Sequence, residues 1–138
     1  MLSADDRLDI IDLLAATAQA IDSRDGDALI TMFTPDGQYT TGQERADTAA
    51  DIASMASRQS RTGTIRRHTQ TTTIEETGEG CAHAVSYVLV TEVQPTGSGV
   101  ELVNVASGVY DDDVILTEQG WRIAARFGAA DGEWSEMI

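Results

Sequence analysis

SADDRLDIIDLLAATAQAIDSRDGDALITMF, residues 3–33, is the stretch that decides how the chain begins to fold. Ser3 and Asp6 have the spacing of a capping box, which satisfies free backbone amides at the start of a helix. Apolar side chains then follow at helical steps of three and four, and this stripe runs through Ile11, Leu14, Ala15 and Ala18 to Asp22. Beyond SRDG, Asp25 can cap a short second helix, GDALITMF. The pattern predicts two helices, with Asp22 at the end of the apolar stripe of the first.

The rest of the chain changes from helical to extended patterns. TPDG predicts a turn, QYTT a short strand, and GQERADTAADIASMASRQ a third helix. β-Branched runs separated by glycine-containing turns then predict four long strands, at residues 65–76, 81–93, 100–116 and 120–127. Helices followed by an antiparallel meander indicate the α+β class. We expect one domain over residues 1–138, with a core at about 5–128 and a tail at 129–138 that Trp134 would dock.

Composition restricts the classes of partner. The 138 residues carry a formal charge of −14, and all nine basic residues are arginines, so a lysine Schiff base and a P-loop are excluded. The acidic balance argues against nucleic acid and anionic membranes. No apolar run approaches the ~20 residues of a membrane span. The N-terminus lacks the pattern of a signal peptide, so we expect a soluble, cytoplasmic protein that binds a small molecule or a protein surface.

Metal and cofactor motifs were not found in the sequence. His68, His83 and the single Cys81 do not form the paired spacings of a metal site. The run Asp111–Asp113 is interpreted as a solvated strand edge, because consecutive strand side chains point in alternating directions. A glycine-rich phosphate loop, a GxSxG motif and an HExxH motif are also missing. The sequence therefore predicts neither a metal nor a cofactor.

An acid/base pair is the candidate chemistry that remains. A buried carboxylate that accepts the ring N–H of a histidine leaves the other ring nitrogen free to remove a proton. Asp22 and His68 are the acid on the apolar stripe and the histidine on a polar strand that fit these roles. Two alternatives stay open: Asp22 only caps the turn that follows it, and His68 is a spectator on its strand.

Four fragments, in order, resemble a known family. LLAATAQAIDSRDGDALITMFTPDGQYT, IRRHTQTTTIEETGEG with CAHAVSYVLV, and SGVYDDDVILTEQGWRIAARF resemble SnoaL-like proteins of the NTF2-like superfamily over about residues 5–128. The resemblance implies an NTF2-like cone, in which N-terminal helices pack on a strongly curved, mostly antiparallel sheet that encloses a deep apolar pocket. It also implies a homodimer formed through the sheet.

The resemblance also implies an enzymatic activity. Scytalone dehydratase and hexachlorocyclohexane dehydrochlorinase, in the same superfamily, use an Asp–His dyad whose positions match Asp22 and His68. This implies a cofactor-free dehydratase, isomerase or cyclase that acts on a small hydrophobic ring-containing metabolite such as a polyketide, terpenoid or steroid. Tyr39 or Asn104 would stabilise the oxygen that gains charge. The residues expected to line the pocket, each of which also has a plain core interpretation, are Phe33, Met55, Tyr87 and Trp121.

Other functions within the superfamily stay open. One alternative is a non-catalytic ligand-binding protein or a small subunit, similar to the β subunits of ring-hydroxylating dioxygenases. Another is an epoxide hydrolase, which would need an Asp–Arg–Asp constellation; Arg126 and several acids are present, but their spacing does not identify one. The sequence departs from the family pattern at Thr17, where many relatives have a tyrosine.

Overall fold

In the part of the chain that the structure describes, three helices pack on one face of a six-stranded sheet. The computed structural model describes residues 1–57, 63–132 and 138. The elements are α1 (Ala4–Asp22), α2 (Gly26–Thr31), β1 (Phe33–Thr41), β2 (Arg45–Ala46), α3 (Ala49–Ser57), β3 (Thr64–Gly78), β4 (Cys81–Pro95), β5 (Val100–Thr117) and β6 (Gly120–Ala130). The strand order is β2-β1-β6-β5-β4-β3, and every neighbouring pair is antiparallel except β1 with β6. The sheet is curved and unclosed, which confirms the predicted α+β cone.

The start of α1 is held as its sequence predicts. The Ser3 hydroxyl accepts from the backbone N–H of Asp6 at 3.0 Å, and the Asp6 carboxylate accepts from the backbone N–H of Ser3 at 3.0 Å. The same carboxylate accepts the indole N–H of Trp121 on β6 at 3.1 Å. The capping box therefore also anchors the first turn of α1 to the sheet.

The buried side of α1 differs from the predicted stripe. Ile10, Leu14 and Thr17 are buried, whereas Ile11 is 45% exposed and Ala15 is exposed. Adjacent residues differ by about 100° around a helix, so the series from Ile10 and the series from Ile11 both satisfy helical spacing. Packing against the sheet buries the series that begins at Ile10. Asp22 stays at the border of the buried side, because it directly follows the buried Ile21.

Two boundaries differ from the prediction in the first half of the chain. TPDG does not form a separate turn but an irregular part of β1, where the pairing with β6 shifts between Phe33 and Gln38. The predicted third helix begins only at Ala49, because Arg45–Ala46 pairs with β1 as β2. Asp25 caps α2 as expected, accepting from the backbone N–H of Ala28 at 3.0 Å. The predicted end of the third helix at residues 58–59 and the docking of Trp134 lie outside the described residues.

The meander of four long strands is confirmed, and α1 covers its β3 edge. Arg7 Nη1 donates to the carbonyl oxygen of Ile74, and the backbone N–H of Arg67 donates to Asp22. These contacts occupy edge groups that would otherwise be open to pairing with another strand. None of the described helices is long and apolar enough to cross a membrane.

A bulge in β3 changes which side chains face inward. The pairing with β4 shifts between Gln70 and Thr73, and Thr71 has a φ of 53°. Beyond the bulge, the Thr72 hydroxyl lies 3.0 Å from the hydroxyl of the fully buried Ser86. The sequence assigned Thr72 to the face of His68 by strict alternation, and the bulge removes it from that face.

Candidate active site

Asp22 at the end of α1 is bonded to Arg67 on β3. Its Oδ2 accepts from the backbone N–H of Arg67 at 2.7 Å, and its Oδ1 accepts from Arg67 Nη1 at 2.7 Å. The Arg67 side chain is 1% exposed and the Asp22 side chain is 9% exposed. The two contacts fix the end of the helix against the sheet and place a charge pair in the interior.

A second buried pair lies on the inner face of the sheet. Arg126 on β6 donates from Nε to Asp112 Oδ1 at 2.7 Å and from Nη2 to Oδ2 at 3.0 Å. The two residues are opposite each other in the β5–β6 ladder. The side chain of Asp112 is 0% exposed and that of Arg126 is 1% exposed. This bidentate pairing holds the guanidinium in one orientation.

Two buried tyrosines connect these pairs. The Arg126 guanidinium carbon lies 4.1 Å from the ring centroid of Tyr110 and 5.5 Å from that of Tyr39. The two rings meet edge to face with centroids 6.5 Å apart. We call the set Asp22, Arg67, Asp112, Arg126, Tyr39 and Tyr110 the interior polar cluster. Its members come from α1, β1, β3, β5 and β6.

Charge and burial define the protonation of this cluster. Burial raises the pKa of Tyr39, and the neighbouring Tyr110 adds to the rise, so the Tyr39 phenol stays neutral. Burial acts to lower the pKa of Arg67, but Tyr110, Tyr39 and the bonded Asp22 raise it overall. The pKa of Arg126 is likewise raised, against the effect of burial, chiefly by the charge of Asp112. Both guanidinium groups therefore remain cationic.

Two buried polar atoms near this centre, Arg126 Nη1 and Thr69 Oγ1, have no hydrogen-bond partner in the described part of the chain. Thr69 is on β3, two residues after Arg67 and on the same face. A buried polar group without a partner costs roughly 1–3 kcal/mol. Such groups keep hydrogen-bonding capacity that the described residues do not use.

Asp22 and His68 do not form the predicted dyad. His68 is exposed, and its Nε2 lies 3.4 Å from the Thr91 hydroxyl on the outer face of the sheet. Because side chains alternate along a strand, the inward position of Arg67 sends His68 outward. Both carboxylate oxygens of Asp22 are bonded to Arg67 instead. The pairing expected from the sequence is therefore corrected.

The other residues predicted for the site are divided between the interior, the surface and the core. Phe33 and Tyr39 are buried and stack with ring centroids 6.0 Å apart. Met55 on α3 is partly buried against the core. Tyr87 is 56% exposed on the outer face, so its expected place in a pocket wall is wrong.

Asn104 and Trp121 have structural partners of their own. Asn104 is exposed on β5 and donates to the carboxylate of the buried Glu92 at 2.8 Å, so its amide is engaged outside the interior polar cluster. Trp121 is buried at the first turn of α1, where it binds Asp6. The structure therefore places Trp121 at the opposite end of α1 from Asp22, which is a core position.

Sequence reasoning missed Arg67, Tyr110 and Asp112, and it considered Arg126 only for an epoxide hydrolase. The interpretation of Asp111–Asp113 as a solvated edge is wrong for its middle member, since Asp112 is fully buried while Asp111 and Asp113 are exposed. Strand alternation contained the signal, because Tyr110 and Asp112 share a face and Asp111 does not. Each arginine of the cluster pairs with an aspartate, Arg67 with Asp22 and Arg126 with Asp112.

The family model for the SnoaL-like domain matches residues 3–126. The chain belongs to the SnoaL-like family. The match covers both helices of the N-terminal stretch, the strands β1 to β5, and β6 as far as Arg126 of the interior polar cluster. No curated protein matches the chain.

Solved structures share the fold of this SnoaL-like chain. An aspartate-to-asparagine variant of a protein of unknown function from Mycobacterium tuberculosis is 26% identical, with a TM-score of 0.80 and coverage of 95% of this chain and 79% of that one. A proposed scytalone dehydratase from Novosphingobium aromaticivorans is 16% identical (TM-score 0.75, coverage 94% and 89%). The β subunit of a proposed aromatic-ring-hydroxylating dioxygenase from the same organism is 18% identical (TM-score 0.72, coverage 91% and 88%).

Proposed function

We propose that this SnoaL-like protein is a cofactor-free acid/base enzyme, a lyase or isomerase, and that the interior polar cluster is its active site. The observation that carries the proposal is the convergence of the Asp22–Arg67 and Asp112–Arg126 pairs on Tyr39 and Tyr110 inside the fold. Perturbed ionisable groups held together in an interior are typical of sites where protons move. The substrate is a small hydrophobic ring-containing metabolite.

Each member of the cluster has a role in the proposed reaction. The Asp22 carboxylate takes a proton from a carbon next to a carbonyl, and the electron pair moves onto the carbonyl oxygen. Arg126 Nη1, which has no hydrogen-bond partner among the described residues, and the neighbouring Tyr110 hydroxyl stabilise the negative charge that develops there. Return of the proton at another carbon gives isomerisation, and departure of a leaving group from the adjacent carbon gives elimination. His68 takes no part.

One protein with the same fold has a name within the proposed reaction class. A structure described as a proposed scytalone dehydratase shares the fold over 94% of this chain, although the low sequence identity restricts that likeness to the fold. A second candidate function is non-catalytic ligand binding or a small-subunit role. It is favoured by the commitment of both Asp22 oxygens to Arg67, which leaves the carboxylate fewer lone pairs for a proton.

Hydrogen–deuterium exchange on a ring ketone tests the proposal. Incubation of 1-tetralone with the protein in D₂O should place deuterium on the carbon next to the carbonyl, as followed by NMR. Asp22→Asn should lower the exchange rate roughly 10²-fold or more, because it removes the base. Tyr87→Phe on the outer face is the matched control and should exchange at the wild-type rate. Binding of 1-tetralone without any exchange would favour the second candidate.

The outer face of the sheet supports a homodimer, which we propose as the form of the protein. Tyr87, Leu89, Val105 and Phe127 are exposed there and span β4, β5 and β6. We call these four residues the outer apolar face. Monomeric proteins rarely leave a large contiguous apolar patch in water. A cytoplasmic location and a reaction without cofactor remain predictions of the sequence.

A further inference from the structure

We infer that two copies of the chain join through the outer faces of their sheets with their strands in opposite directions, so that Glu75 of each copy forms an ion pair with the partner's Arg66. This inference rests on the homodimer proposed above. It adds to that proposal the relative orientation of the two copies and the pair of residues that specifies it.

One end of the outer face is acidic. Its carboxylates are Glu75 on β3 and Asp111 and Asp113 on β5, and all three residues are exposed. His83 on β4 lies between them, 2.8 Å from each aspartate and opposite Glu75 in the β3–β4 ladder. One imidazole can neutralise at most one of three carboxylates, so this acidic end keeps a net negative charge.

The other end of the outer face is basic. Arg66 on β3 is exposed there, opposite Thr91 in the β3–β4 ladder. Within the described residues, its guanidinium donates only to the carbonyl oxygen of Ile65, at 3.3 Å, and pairs with no carboxylate. Asp131, on the β6 side of this half of the sheet, accepts from the Ser107 hydroxyl at 2.8 Å. The charge of Arg66 at this basic end is therefore available to a partner.

Tyr87 lies midway between the two ends. On β4 it is four residues from His83 at the acidic end and four residues from Thr91 at the basic end, or about 13 Å in each direction. Tyr87 is 56% exposed, and Leu89, the next outward residue of β4, is exposed as well. A two-fold axis that crosses the strands at Tyr87 therefore places the acidic end of each copy over the basic end of the other.

Two-fold symmetry allows two orientations for packed sheets whose strands are nearly aligned. An axis parallel to the strands places each end over the same end of the other copy, so the carboxylates of two acidic ends would meet. An axis perpendicular to the strands reverses their direction and places Glu75 over the partner's Arg66 twice. Like charges across an interface are strongly unfavourable, whereas opposite charges fix its register. The charge distribution therefore favours the second orientation.

Charge reversal on the full chain tests the inference. Glu75→Arg and Arg66→Glu should each raise the dissociation constant of the dimer roughly tenfold or more, because each places like charges against the partner. Sedimentation velocity over a concentration series at pH 7 measures this constant. The double variant restores opposite charges with their signs exchanged, and it should return to within about threefold of the wild type. Asp9→Arg, an exposed reversal on α1, is the matched control and should leave the dissociation constant unchanged.

The double variant also excludes an explanation within one copy. The ladder partners of Glu75 and Arg66 are eight residues apart on β4, which corresponds to roughly 26 Å, so the two side chains cannot meet in the same chain. Rescue therefore has to pass through the partner. If a charge reversal does not fold, Glu75→Gln and Arg66→Gln take its place, and each should weaken the dimer about threefold.

The outcomes separate the orientation from the dimer and from catalysis. Tighter association of Glu75→Arg, a double variant weaker than both single variants, or an unchanged dissociation constant in every variant would overturn the orientation and leave the dimer intact. A wild-type protein that stays monomeric at all concentrations would reject the dimer and this inference together. Deuterium exchange on 1-tetralone tests the catalytic proposal independently of both.

Discussion

Arg67 and His68 are neighbours in the chain but lie on opposite faces of β3. The side chain of Arg67 is buried and bonded to Asp22, whereas His68 is exposed beside Thr91. The permanently cationic guanidinium of Arg67 therefore occupies the interior position, and the imidazole ring of His68 lies on the outer surface.

We predict that His68→Gln changes neither stability nor deuterium exchange on 1-tetralone. Because the ring is exposed and its nearest described polar contact is a long one to Thr91, the free energy of unfolding should change by less than about 0.5 kcal/mol. Urea unfolding and the exchange assay measure the two effects. Arg67→Met is the matched comparison and should lower both. A loss of exchange of tenfold or more in His68→Gln would restore the histidine as the base.

Removal of the Asp22 carboxylate should destabilise the fold. Asp22→Ala leaves a buried guanidinium and a strand N–H without their acceptor, and we expect a loss of about 3 kcal/mol. Asp22→Asn keeps an oxygen for the Arg67 N–H, so its loss should be smaller, roughly 2 kcal/mol. Asp12→Asn on the exposed side of α1 is the control and should stay within about 0.5 kcal/mol. Equal stability of Asp22→Ala and the wild type would contradict the burial of this pair.

The Asp112–Arg126 pair should behave as a unit. Asp112→Ala alone should cost about 3–5 kcal/mol, because it leaves Arg126 buried and charged without its counterion. The double variant Asp112→Leu with Arg126→Met replaces both charges by apolar groups, and it should be more stable than Asp112→Ala. Chemical denaturation of the wild type, Asp112→Leu, Arg126→Met and the double variant gives the coupling free energy. Strictly additive effects would show that the two side chains do not interact.

The outer face holds a pH-dependent contribution to stability at His83. Its Nδ1 lies 2.8 Å from Asp113 and its Nε2 lies 2.8 Å from Asp111. Glu75 on β3 is opposite His83 in the β3–β4 ladder. The hydrogen bond with Asp113 and the charges of the neighbouring aspartates raise the pKa of His83 above 6.5. The stabilisation is therefore fully present below pH 6.5 and is lost as the pH rises through the raised pKa of the folded state.

His83→Asn measures that contribution. Because the aspartates are solvent-exposed, the variant should lose only about 0.5–1 kcal/mol at pH 6, and the difference from the wild type should shrink toward zero at high pH. Thr91→Ala, on the same strand and face as His83, removes no ionisable group; it is the control, and its difference from the wild type should not depend on pH. A difference that grows with pH would reverse the assigned sign.

Disruption of the outer apolar face should produce monomers. Val105→Glu places a charge in the middle of this face, where a second copy would have to bury it. Light scattering coupled to gel filtration should then report half the wild-type mass. Leu8→Glu is the control, because Leu8 is 59% exposed on α1, away from the sheet. A wild-type protein that elutes as a monomer at all concentrations would reject the proposed dimer.

Much of the fold could be predicted from local signals. The Ser3–Asp6 capping box and the glycine-containing turns between β3 and β6 depend on residues that are close together in the sequence. Both are present where the sequence predicts them. The parallel pairing of β1 with β6 could not be predicted in this way, because it joins residues about ninety positions apart. The bulge at Thr71, where the register with β4 shifts and φ is 53°, likewise could not be predicted from strict strand alternation.

The candidate site was predicted less completely than the fold. Strand periodicity shows that Tyr110 and Asp112 share one face of β5. It also shows that Arg67 and His68 are on opposite faces of β3. The sequence by itself is sufficient for both of these assignments. It cannot decide which face is buried. That choice depends on α1, whose last residue, Asp22, reaches β3 across 45 positions of chain and binds Arg67. Local sequence determines which side chains point together, and only the tertiary packing of distant elements decides which of them enter the interior.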